Sequence, residues 1–323
     1  MSRYKNSKLS YYLQGYARLL CPRVWTQKQL SRLLAEGKVL AAKDKEVQRR
    51  VDYYCQLDKI TPLPQEAPAL GQHTYKNKKG ASVYFFDTHE IVRYFNQSLH
   101  WLFQRGDVTT VFDYPTVVKS RPIATETTDN RNSIILKLNK IRHFFFVDDP
   151  IATEQKKPIA LFRGAVHGKP KRQRFLEQYI DHPMCDIRDT AHNSDNPAAW
   201  RAESMSIREH LDYKYIVALE GNDVASCLKW VMSSNSVAVM PRPTYETWFM
   251  EGTLIPDYHY IVIKSDYSDF IERITFYENH PEKLKEIVRH AKEYVQQFRD
   301  RKREKLISLM VMDKYFRMTG QQD

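Results

Sequence analysis

The chain of 323 residues carries 50 Lys and Arg against 39 Asp and Glu, a formal charge of +11 that calls for an anionic partner such as nucleic acid, a membrane surface or a phosphorylated substrate. Its hydrophobic content of 42% suits packed interiors and excludes a disordered chain. Four scattered cysteines without a Cys-x-x-Cys pair exclude a zinc ribbon and a disulfide scaffold. No apolar run approaches the roughly 18 residues of a membrane span, and no signal peptide is recognisable, so we expect a cytoplasmic protein.

The first part of the chain is predicted to begin with helices and to continue with strands. Apolar residues at helical spacing predict helices within residues 1–60, and three prolines mark residues 61–72 as a loop. The apolar patterns that follow predict a strand at residues 82–87, a helix at 88–103 and β-structure at 108–115.

Residues 149–158 are polar and bounded by proline, and we place a domain boundary there, between domains 1–155 and 156–323. Beyond it strands alternate with helices, which is typical of a parallel sheet with right-handed crossovers. The predicted strands are residues 159–164, 184–189, 215–219, 236–241 and 259–264; the predicted helices are residues 172–179, a short one opened by the capping box at Ser206, and a long one from Pro281.

The segment after the strand at 215–219 is a candidate phosphate site. Asp223 is predicted to cap a helix that carries Val224, Leu228 and Val231 on its apolar face, and the N–H groups of a helix start attract phosphate. The candidate donor-binding residues of this segment are Gly221, Asn222, Asp223, Ser226 and Lys229. The segment lacks the Gly-x-Gly-x-x-Gly and P-loop spacings, which argues against a dehydrogenase.

A second candidate is the basic stretch 162–174, which would follow the strand at 159–164 at the same edge of a parallel sheet, where such sheets bind ligands. Its candidate residues are Arg163, Gly164, His167 and Arg172, because an arginine beside glycines suits a bidentate grip on a diphosphate. A solvated basic loop is the alternative interpretation. Glu246 is predicted to begin a short helix after a strand, where it could accept hydrogen bonds from ribose hydroxyls.

Several blocks in a fixed order resemble glycosyltransferase family 90: RHFFFVDD (142–149), FRGAVHGKPKR (162–172), KYIVALEGNDVASCLKW (214–230), ETWFMEG (246–252) and DYHYIVIKSD (257–266). The resemblance covers about residues 108–295 and is closest to the bacterial lipopolysaccharide-modifying branch, with the eukaryotic protein O-glucosyltransferases more distant. It implies an α/β fold of GT-B type, with two facing Rossmann-like domains built on parallel sheets, a bound nucleotide sugar, and inversion at the anomeric carbon.

The resemblance also assigns roles to individual positions. Arg163 and Gly164 match the family's Phe-Arg-Gly block, and Gly221 and Lys229 match its donor-helix block. Cys227 stands where the eukaryotic relatives carry an arginine. The diphosphate must therefore be neutralised by other cations, for which Arg163, Arg172 and Lys229 are the candidates.

The resemblance further implies a catalytic acidic residue before a proline in the first domain. Asp113 in Phe-Asp-Tyr-Pro is the best match, and a carboxylate is the simplest acceptor for the proton of an attacking hydroxyl. A turn aspartate is the alternative reading of Asp113, and Asp107 is the reserve candidate for the base. Lys119 and Arg121 lie just beyond and are candidates for holding an anionic acceptor.

These observations predict a metal-independent hexosyltransferase. No Asp-x-Asp triplet is present, so no metal or other cofactor is expected, and cations and helix N-termini should meet the leaving-group charge. The expected reaction moves a hexose from a UDP-sugar to a hydroxyl of a lipopolysaccharide core or related surface glycan, at the inner face of the cytoplasmic membrane. The alternatives are a non-catalytic nucleotide-sugar-binding module and a nucleic-acid-binding protein, although no nucleic-acid-binding motif is found.

The positive charge also predicts peripheral contact with an anionic membrane. Residues 299–305 are strongly basic and are followed by the apolar stretch Leu-Ile-Ser-Leu-Met-Val-Met. This segment is expected either to face the membrane as an amphipathic element or to pack on the protein as a C-terminal helix.

Overall fold

The computed structural model describes residues 7–75, 81–127 and 129–322, which form two compact units. The helical unit comprises residues 7–142, Tyr245–Phe249 and residues 298–322, and the sheet unit comprises His143–Thr244 and Met250–Gln297. The units are therefore not the continuous stretches 1–155 and 156–323. The chain returns twice to the helical unit, which also contains the C-terminal helix.

In chain order the helices are α1 (Lys8–Leu20), α2 (Arg23–Gln27), α3 (Leu30–Lys43), α4 (Lys45–Tyr54), α5 (Ala81–Val92), α6 (Lys140–His143), α7 (Pro170–Tyr179), α8 (Ile207–His210), α9 (Leu228–Met232), α10 (Phe270–Glu278), α11 (Pro281–Gln296) and α12 (Arg301–Met318). The strands are β1 (Leu102–Phe103), β2 (Thr116–Val118), β3 (Ser120–Pro122), β4 (Ser133–Ile135), β5 (Lys157–Gly164), β6 (Cys185–Asp189), β7 (Tyr213–Val217), β8 (Val237–Met240), β9 (Tyr245–Thr247) and β10 (Ile261–Val262). The helices predicted within residues 1–60 are confirmed for the described part of that range.

The core of the helical unit is organised by α12, which packs on α3, α4 and α5. All seven residues from Leu306 to Met312 are buried. The membrane-facing interpretation of this stretch is therefore wrong, because its apolar side chains already lie against helices of the same unit. Within the described residues, the structure contains no helix of the length and apolarity that a membrane span requires.

The predicted strand at residues 82–87 is wrong, because these residues belong to α5. A short apolar run fits a buried helix and a buried strand equally well, and here Tyr84, Phe85 and Phe86 are all buried. Phe86 packs on α1 at Gly15, where an added Cβ would lie 2.7 Å from its ring. The predicted helix over 88–103 is also too long, since α5 ends at Val92 and β1 follows.

The helical unit carries two small sheets. Strands β1, β2 and β4 form a parallel sheet in the order β1-β2-β4, and β3 pairs with β9 in antiparallel orientation. The predicted β-structure at 108–115 is wrong, because β2 begins only at Thr116. The side chain of Asn132 donates to the carbonyls of Phe112 and Asp113, which therefore bond to an amide side chain rather than to a neighbouring strand.

The sheet unit contains a five-stranded parallel sheet in the order β10-β8-β7-β5-β6. All of its predicted strands are confirmed. The inner strands β5, β7 and β8 contain consecutive buried residues, as parallel strands covered by helices require, whereas the edge strand β6 is only partly buried on one face. Helices α7, α10 and α11 supply further core side chains, α11 begins at Pro281, and Ser206 caps α8 through the predicted capping box. An α/β fold with parallel sheets, compatible with a Rossmann-like domain, is thus confirmed.

Two local predictions in the site region are wrong. Residues 221–227 form a loop, and α9 begins only at Leu228, so Asp223 does not cap a helix. The carbonyl of Asp223 instead accepts a hydrogen bond from the Gly221 N–H at 3.0 Å. This bond closes a turn at residues 221–223, and its pattern is not that of an α-helix. Glu246 lies in the middle of β9 and not at the start of a helix.

Candidate active site

The order of the strands places a topological switch point between β5 and β7. The chain runs from β5 to β6 on one side and then crosses to β7 on the other side, from which it continues to β8. In open parallel sheets, ligands bind outside the carboxyl ends of the strands at such a point. The loops at this point, residues 165–169 and 218–227, are the two stretches that the sequence singled out.

Arg172 joins these two loops. Its guanidinium donates to the carbonyl oxygens of Leu219 at 2.8 Å and Glu220 at 3.1 Å, and to that of Ala165 at 2.9 Å. Gly164 and Gly221 flank the same guanidinium: an added Cβ would lie 3.4 Å from Nη1 at Gly164 and 3.1 Å from Nη2 at Gly221. The residue predicted to bind diphosphate thus holds the loops, and Gly221 makes room for it, whereas the closest neighbour of a Cβ at Gly164 would be the ring of Phe162 at 3.0 Å.

Two lysines make further links at this edge. Lys169 donates through Nζ to the side-chain oxygen of Asn222, and Lys171 Nζ lies 3.1 Å from Oε2 of Glu220. Glu220 also accepts hydrogen bonds from the N–H and hydroxyl of Thr244, at 2.7 and 2.6 Å. The loops that follow β5, β7 and β8 therefore share one polar network, and sequence reasoning noted its cations without naming these two lysines.

Arg163 is directed away from this edge. Both of its bonds from Nη2 to the carboxylate of Asp186 are 2.7 Å long, and its Nη1 donates to the Asp186 carbonyl at 2.8 Å. Asp186 pairs in register with Leu161, two residues before Arg163 along β5. The guanidinium therefore lies back along the sheet, and the structure does not bring it to the other predicted donor-binding residues.

Lys229 is fully buried and ion-paired with the equally buried Glu251, with 2.5 Å between Nζ and Oε1. The ring of Phe144 lies 5.9 Å from the same ammonium group. Cys227 precedes α9, and burial raises the pKa of its thiol, so it contributes no negative charge at neutral pH. A buried pair of this kind is costly to break, because the remaining partner is left as an uncompensated charge.

The other predicted donor-side residues differ in exposure. His167 is about half exposed, and its Nδ1 lies 3.2 Å from the exposed carboxylate of Asp195. Asn222 is exposed, Ser226 is partly buried, and Asp223 is buried. The structure places all four on the two switch-point loops.

Asp189 was missed by the sequence analysis and connects the end of β6 to the loop after β5. It is fully buried and accepts hydrogen bonds from the N–H groups of Val166 at 3.0 Å and Ala191 at 2.9 Å, and from the side chains of Ser194 and Asn196. Burial alone would raise its pKa, but these hydrogen bonds outweigh burial and hold the pKa below its usual value. The position of Asp189 at the carboxyl end of a predicted strand is the feature of the sequence that could have identified it.

In the helical unit, Asp107 lies at the carboxyl edge of the β1-β2-β4 sheet. It follows β1 by four residues, and its Oδ1 lies 2.5 Å from Nζ of Lys119, the residue directly after β2. Lys119 is buried, whereas the Asp107 side chain is partly exposed. A carboxylate oriented by a buried ammonium therefore stands at the edge where parallel sheets carry their ligands.

Asp113 lies at the opposite edge of the same sheet. It precedes β2 by three residues, its side chain is exposed, and its carbonyl accepts a hydrogen bond from Asn132 at 2.8 Å. The structure does not bring Asp113 together with Asp107 or Lys119. Its surroundings are those of the turn aspartate that was the alternative interpretation.

Arg121 and Glu246, predicted for an acceptor and a donor role, form one buried ion pair between β3 and β9. The Nε–Oε1 distance is 2.8 Å, and Glu246 also accepts a hydrogen bond from the hydroxyl of Tyr53. The remaining guanidinium nitrogens of Arg121 donate to the carbonyls of Ser133 at 2.9 Å and Tyr53 at 2.8 Å. These contacts tie β3, β4, β9 and α4 together.

Among the described residues, no group of three or more His, Cys, Asp or Glu side chains is arranged to hold a metal ion. The polar groups at the switch point include the cations Lys169, Lys171 and Arg172 together with the carboxylate of Glu220. Of these cations, Lys171 is 60% exposed and can pair with an anionic ligand.

A five-stranded parallel sheet with polar loops at its switch point is compatible with a Rossmann-like domain. The sequence profile of Glycosyl transferase family 90 matches residues 148–318, and the chain belongs to this family. It is 37% identical over 314 residues to O-glucosyltransferase LpsA of Dichelobacter nodosus, which covers 96% of this chain and 95% of that protein. A shorter similarity, 32% over 108 residues, is found with uncharacterized protein 179R of Invertebrate iridescent virus 6, over 31% of this chain and 9% of the viral protein. The resemblance stated from the sequence is thereby confirmed, and the protein is a glycosyltransferase.

Proposed function

We propose that the protein is an inverting O-glucosyltransferase that moves glucose, or another hexose, from a UDP-sugar to a hydroxyl of a lipopolysaccharide core or related surface glycan. The observation that carries the proposal is the cationic network at the switch point of the sheet unit, in a chain similar over 96% of its length to an O-glucosyltransferase. The GT-B arrangement, action without a metal ion, and a place at the inner face of the cytoplasmic membrane are parts of the same proposal.

On the donor side, we assign the diphosphate to Lys169 and Lys171. The Lys171 side chain is 60% exposed, and an exposed ion pair contributes only about 0–1 kcal/mol, so it can exchange Glu220 for a phosphate at little cost. Arg163 and Lys229 would first have to leave the carboxylates that hold them. Arg172 acts as the positioning residue of the two loops, with Gly221 providing its space and Gly164 lying beside it.

The neighbours of these lysines complete the donor side of the proposal. His167 and Asn222 are exposed on the two loops, and Ser226 is partly exposed, so each can reach a ligand at the sheet edge. Asp223 lies buried beneath them and shapes the loop through its carbonyl bond to Gly221. Glu246 is removed from this set, because it is buried in the helical unit against Arg121.

The proposed base is Asp107, the reserve candidate, rather than Asp113. Its carboxylate takes the proton of the acceptor hydroxyl as that oxygen forms its bond to the anomeric carbon, and the bond from this carbon to UDP breaks with the electron pair leaving on the diphosphate. The buried ammonium of Lys119 orients the carboxylate for this transfer. Asp113 lies at the edge of the sheet where ligands are not bound.

The test compares two isosteric variants in an assay of UDP release. Purified protein is supplied with UDP-glucose, UDP-galactose and other UDP-sugars, with and without rough lipopolysaccharide, in the presence of EDTA. Asp107→Asn is expected to lower kcat by about 10²–10⁴-fold, the usual contribution of a general base. Asp113→Asn, the matched control, is expected to stay within about twofold of the wild-type rate.

Each result has a distinct meaning. Acceptor-stimulated UDP release that survives EDTA and collapses only in Asp107→Asn supports the whole proposal. Loss of activity in Asp113→Asn but not in Asp107→Asn would identify Asp113, the first candidate, as the base. Binding of UDP-sugars without any turnover by the wild type would favour the non-catalytic binding module instead.

A further inference from the structure

Helix α1 carries a continuous apolar stripe on its exposed side. Leu9, Leu13, Tyr16 and Leu20 follow one another at intervals of four, three and four residues, which places them on one face of a helix. All four are exposed, with Leu9 at 71% and Leu20 at 87%. Large aliphatic side chains at this exposure, aligned rather than scattered, mark an interaction surface.

The stripe is turned outward because the opposite side of α1 is occupied. Gly15 is buried against Phe86 of α5, and the rings of Tyr11 and Tyr12 make edge contacts with the same phenylalanine at 6.4 and 5.9 Å. Tyr16 lies at the border of the stripe, because its ring is 5.1 Å from Phe86 and its hydroxyl is 3.0 Å from that of Tyr75. Tyr11 also donates to the buried carboxylate of Asp87 at 2.9 Å. These contacts fix the rotation of α1.

The next helix along the chain, α2, adds two exposed apolar side chains, Val24 and Trp25, whose exposed fractions are 57% and 65%. This short helix is held on the unit by its other side. Thr26 is buried and donates to the carbonyl of Arg93 at 3.2 Å, and the Gln27 amide donates to that of Phe95 at 3.0 Å. The exposed valine and tryptophan are therefore presented by an anchored element.

The surroundings of this surface are cationic. Residues 7–35 contain five basic side chains and no Asp or Glu: Lys8, Arg18, Arg23, Lys28 and Arg32. Lys8 and Lys28 are exposed, whereas Arg18 lies 3.2 Å from Glu90 and the exposed Arg32 lies 3.9 Å from Glu36. An apolar stripe bordered by lysine and arginine, with tyrosine and tryptophan among its members, is the pattern of a helix that lies in a membrane interface.

We propose that the α1–α2 face, formed by Leu9, Leu13, Tyr16, Leu20, Val24 and Trp25, docks on the surface of an anionic phospholipid bilayer. The aliphatic side chains enter the boundary of the acyl chains, and the flanking cations meet the lipid phosphates. A second copy of the chain is the poorer occupant. A twofold contact would set this cationic surface against itself, with no acidic residue within 7–35 to offset the repulsion.

The consequence for the enzyme rests on the proposed function. If the acceptor is anchored in an anionic leaflet, an enzyme docked on that leaflet shares a surface with it. Docking therefore raises the local concentration of the acceptor around the enzyme. Docking itself depends only on the residues of the α1–α2 face. The two proposals can therefore fail separately.

The experiment measures binding of the full chain to vesicles by co-sedimentation. Vesicles of phosphatidylglycerol and phosphatidylcholine in equal parts are compared with vesicles of phosphatidylcholine alone, at low and high salt. Binding is expected only to the anionic vesicles and is expected to weaken as salt rises. The double variant Leu13→Glu with Leu20→Glu is expected to lower the affinity at least about tenfold, and Lys28→Gln about fivefold.

The matched control carries the same charge change at exposed apolar positions elsewhere. Val39→Glu with Ile255→Glu, at residues 56% and 54% exposed, is expected to bind vesicles as the wild type does. Quenching of Trp25 fluorescence by brominated lipid, lost in Trp25→Phe, would locate the contact. Equal binding by the double variant and the wild type would overturn the proposal. So would a dimer in size-exclusion chromatography that the same double variant dissociates.

The same variants are assayed for UDP release without vesicles. Because none of these residues belongs to the proposed active site, we expect unchanged rates of UDP-sugar hydrolysis. Vesicle binding that is lost in Leu13→Glu with Leu20→Glu, in a protein that turns over no UDP-sugar, would support the docking face and reject the proposed function. Turnover of UDP-sugar by the wild type, with vesicle binding that is unaltered in Leu13→Glu with Leu20→Glu, would support the proposed function and reject the docking face.

Discussion

The guanidinium of Arg172 lies against the α-carbon of Gly221, where an added Cβ would come within 3.1 Å of Nη2. The same group donates to the carbonyls of Leu219 and Glu220. The absence of a side chain at Gly221 therefore allows this close approach of an arginine from α7. This contact links the geometry of the loop after β7 to the loop after β5.

Gly221→Ala is expected to raise KM for the UDP-sugar by about tenfold with little loss of stability, because Arg172 must move by a few tenths of an ångström and the loop carbonyls move with it. Steady-state kinetics with varied donor checks this. Gly71→Ala is the control, since its Cβ would lie at a similar 3.3 Å from the carbonyl of Gln97 in the helical unit. An unchanged KM in Gly221→Ala would show that the position of Arg172 does not matter to donor binding.

Lys229 and Glu251 are expected to behave as a structural pair. Removing one partner, as in Lys229→Met or Glu251→Gln, leaves the charge of the other partner buried and uncompensated. Each single substitution should therefore lower the free energy of unfolding by about 3–5 kcal/mol. The double variant should recover most of this loss, and with it the turnover of UDP-sugar. Denaturant unfolding and UDP release, measured on all three variants, check both points. A double variant that is stable but inactive would instead assign Lys229 to the donor.

The buried pair of Arg121 and Glu246 permits the same cycle in the helical unit. Arg121→Met is expected to destabilise by about 3–5 kcal/mol, because the carboxylate of Glu246 stays buried and the carbonyls of Ser133 and Tyr53 lose their donors. Glu246→Gln should cost less, since the amide can still bond to Tyr53. If KM for the acceptor rose in Arg121→Met at unchanged stability, the acceptor role predicted from the sequence would be restored.

The strands of the sheet unit could be predicted because their residues are apolar on both faces and are bounded by turns. The apolar run at 82–87 could not be assigned, since burial on all sides removes the periodicity that separates a helix from a strand. Residues 108–115 have β-forming side chains, yet strand propensity depends on a neighbouring strand, and the carbonyls there bond to Asn132.

The candidate site was only partly predictable for a related reason. Position at the end of a strand identified both switch-point loops, but it did not reveal which carboxylates form ion pairs with the predicted cations. Asp186 holds Arg163 and Glu251 holds Lys229, each from 22 or 23 residues along the chain. Asp113 was chosen over Asp107 because it best matches the acidic residue before a proline that the resemblance implies. The structure adds that Asp107 follows β1 and that Asp113 precedes β2, which places them at opposite edges of the small parallel sheet.

The stability of the helical unit is expected to fall as the pH is lowered from neutral. Burial on α5 lowers the pKa of His89 from 6.5 to about 4, with Arg93, Arg23 and His73 nearby adding to the effect. Burial likewise lowers the pKa of His73 to about 4. In the unfolded chain both imidazoles accept a proton near pH 6.5, while in the folded protein they stay neutral down to about pH 4. The unfolded state therefore binds more protons across this interval.

This linkage gives a slope that can be measured. Each group should contribute at most about 1.4 kcal/mol of lost stability per pH unit between pH 6.5 and 4, with none of the loss above pH 6.5. His89→Phe keeps an aromatic ring stacked on Phe85 and should flatten the slope in denaturant unfolding between pH 7.5 and 5. His192→Gln, at an exposed position of the sheet unit, should leave it unchanged. An equal slope in His89→Phe and wild type would mean that His89 does not titrate differently in the two states.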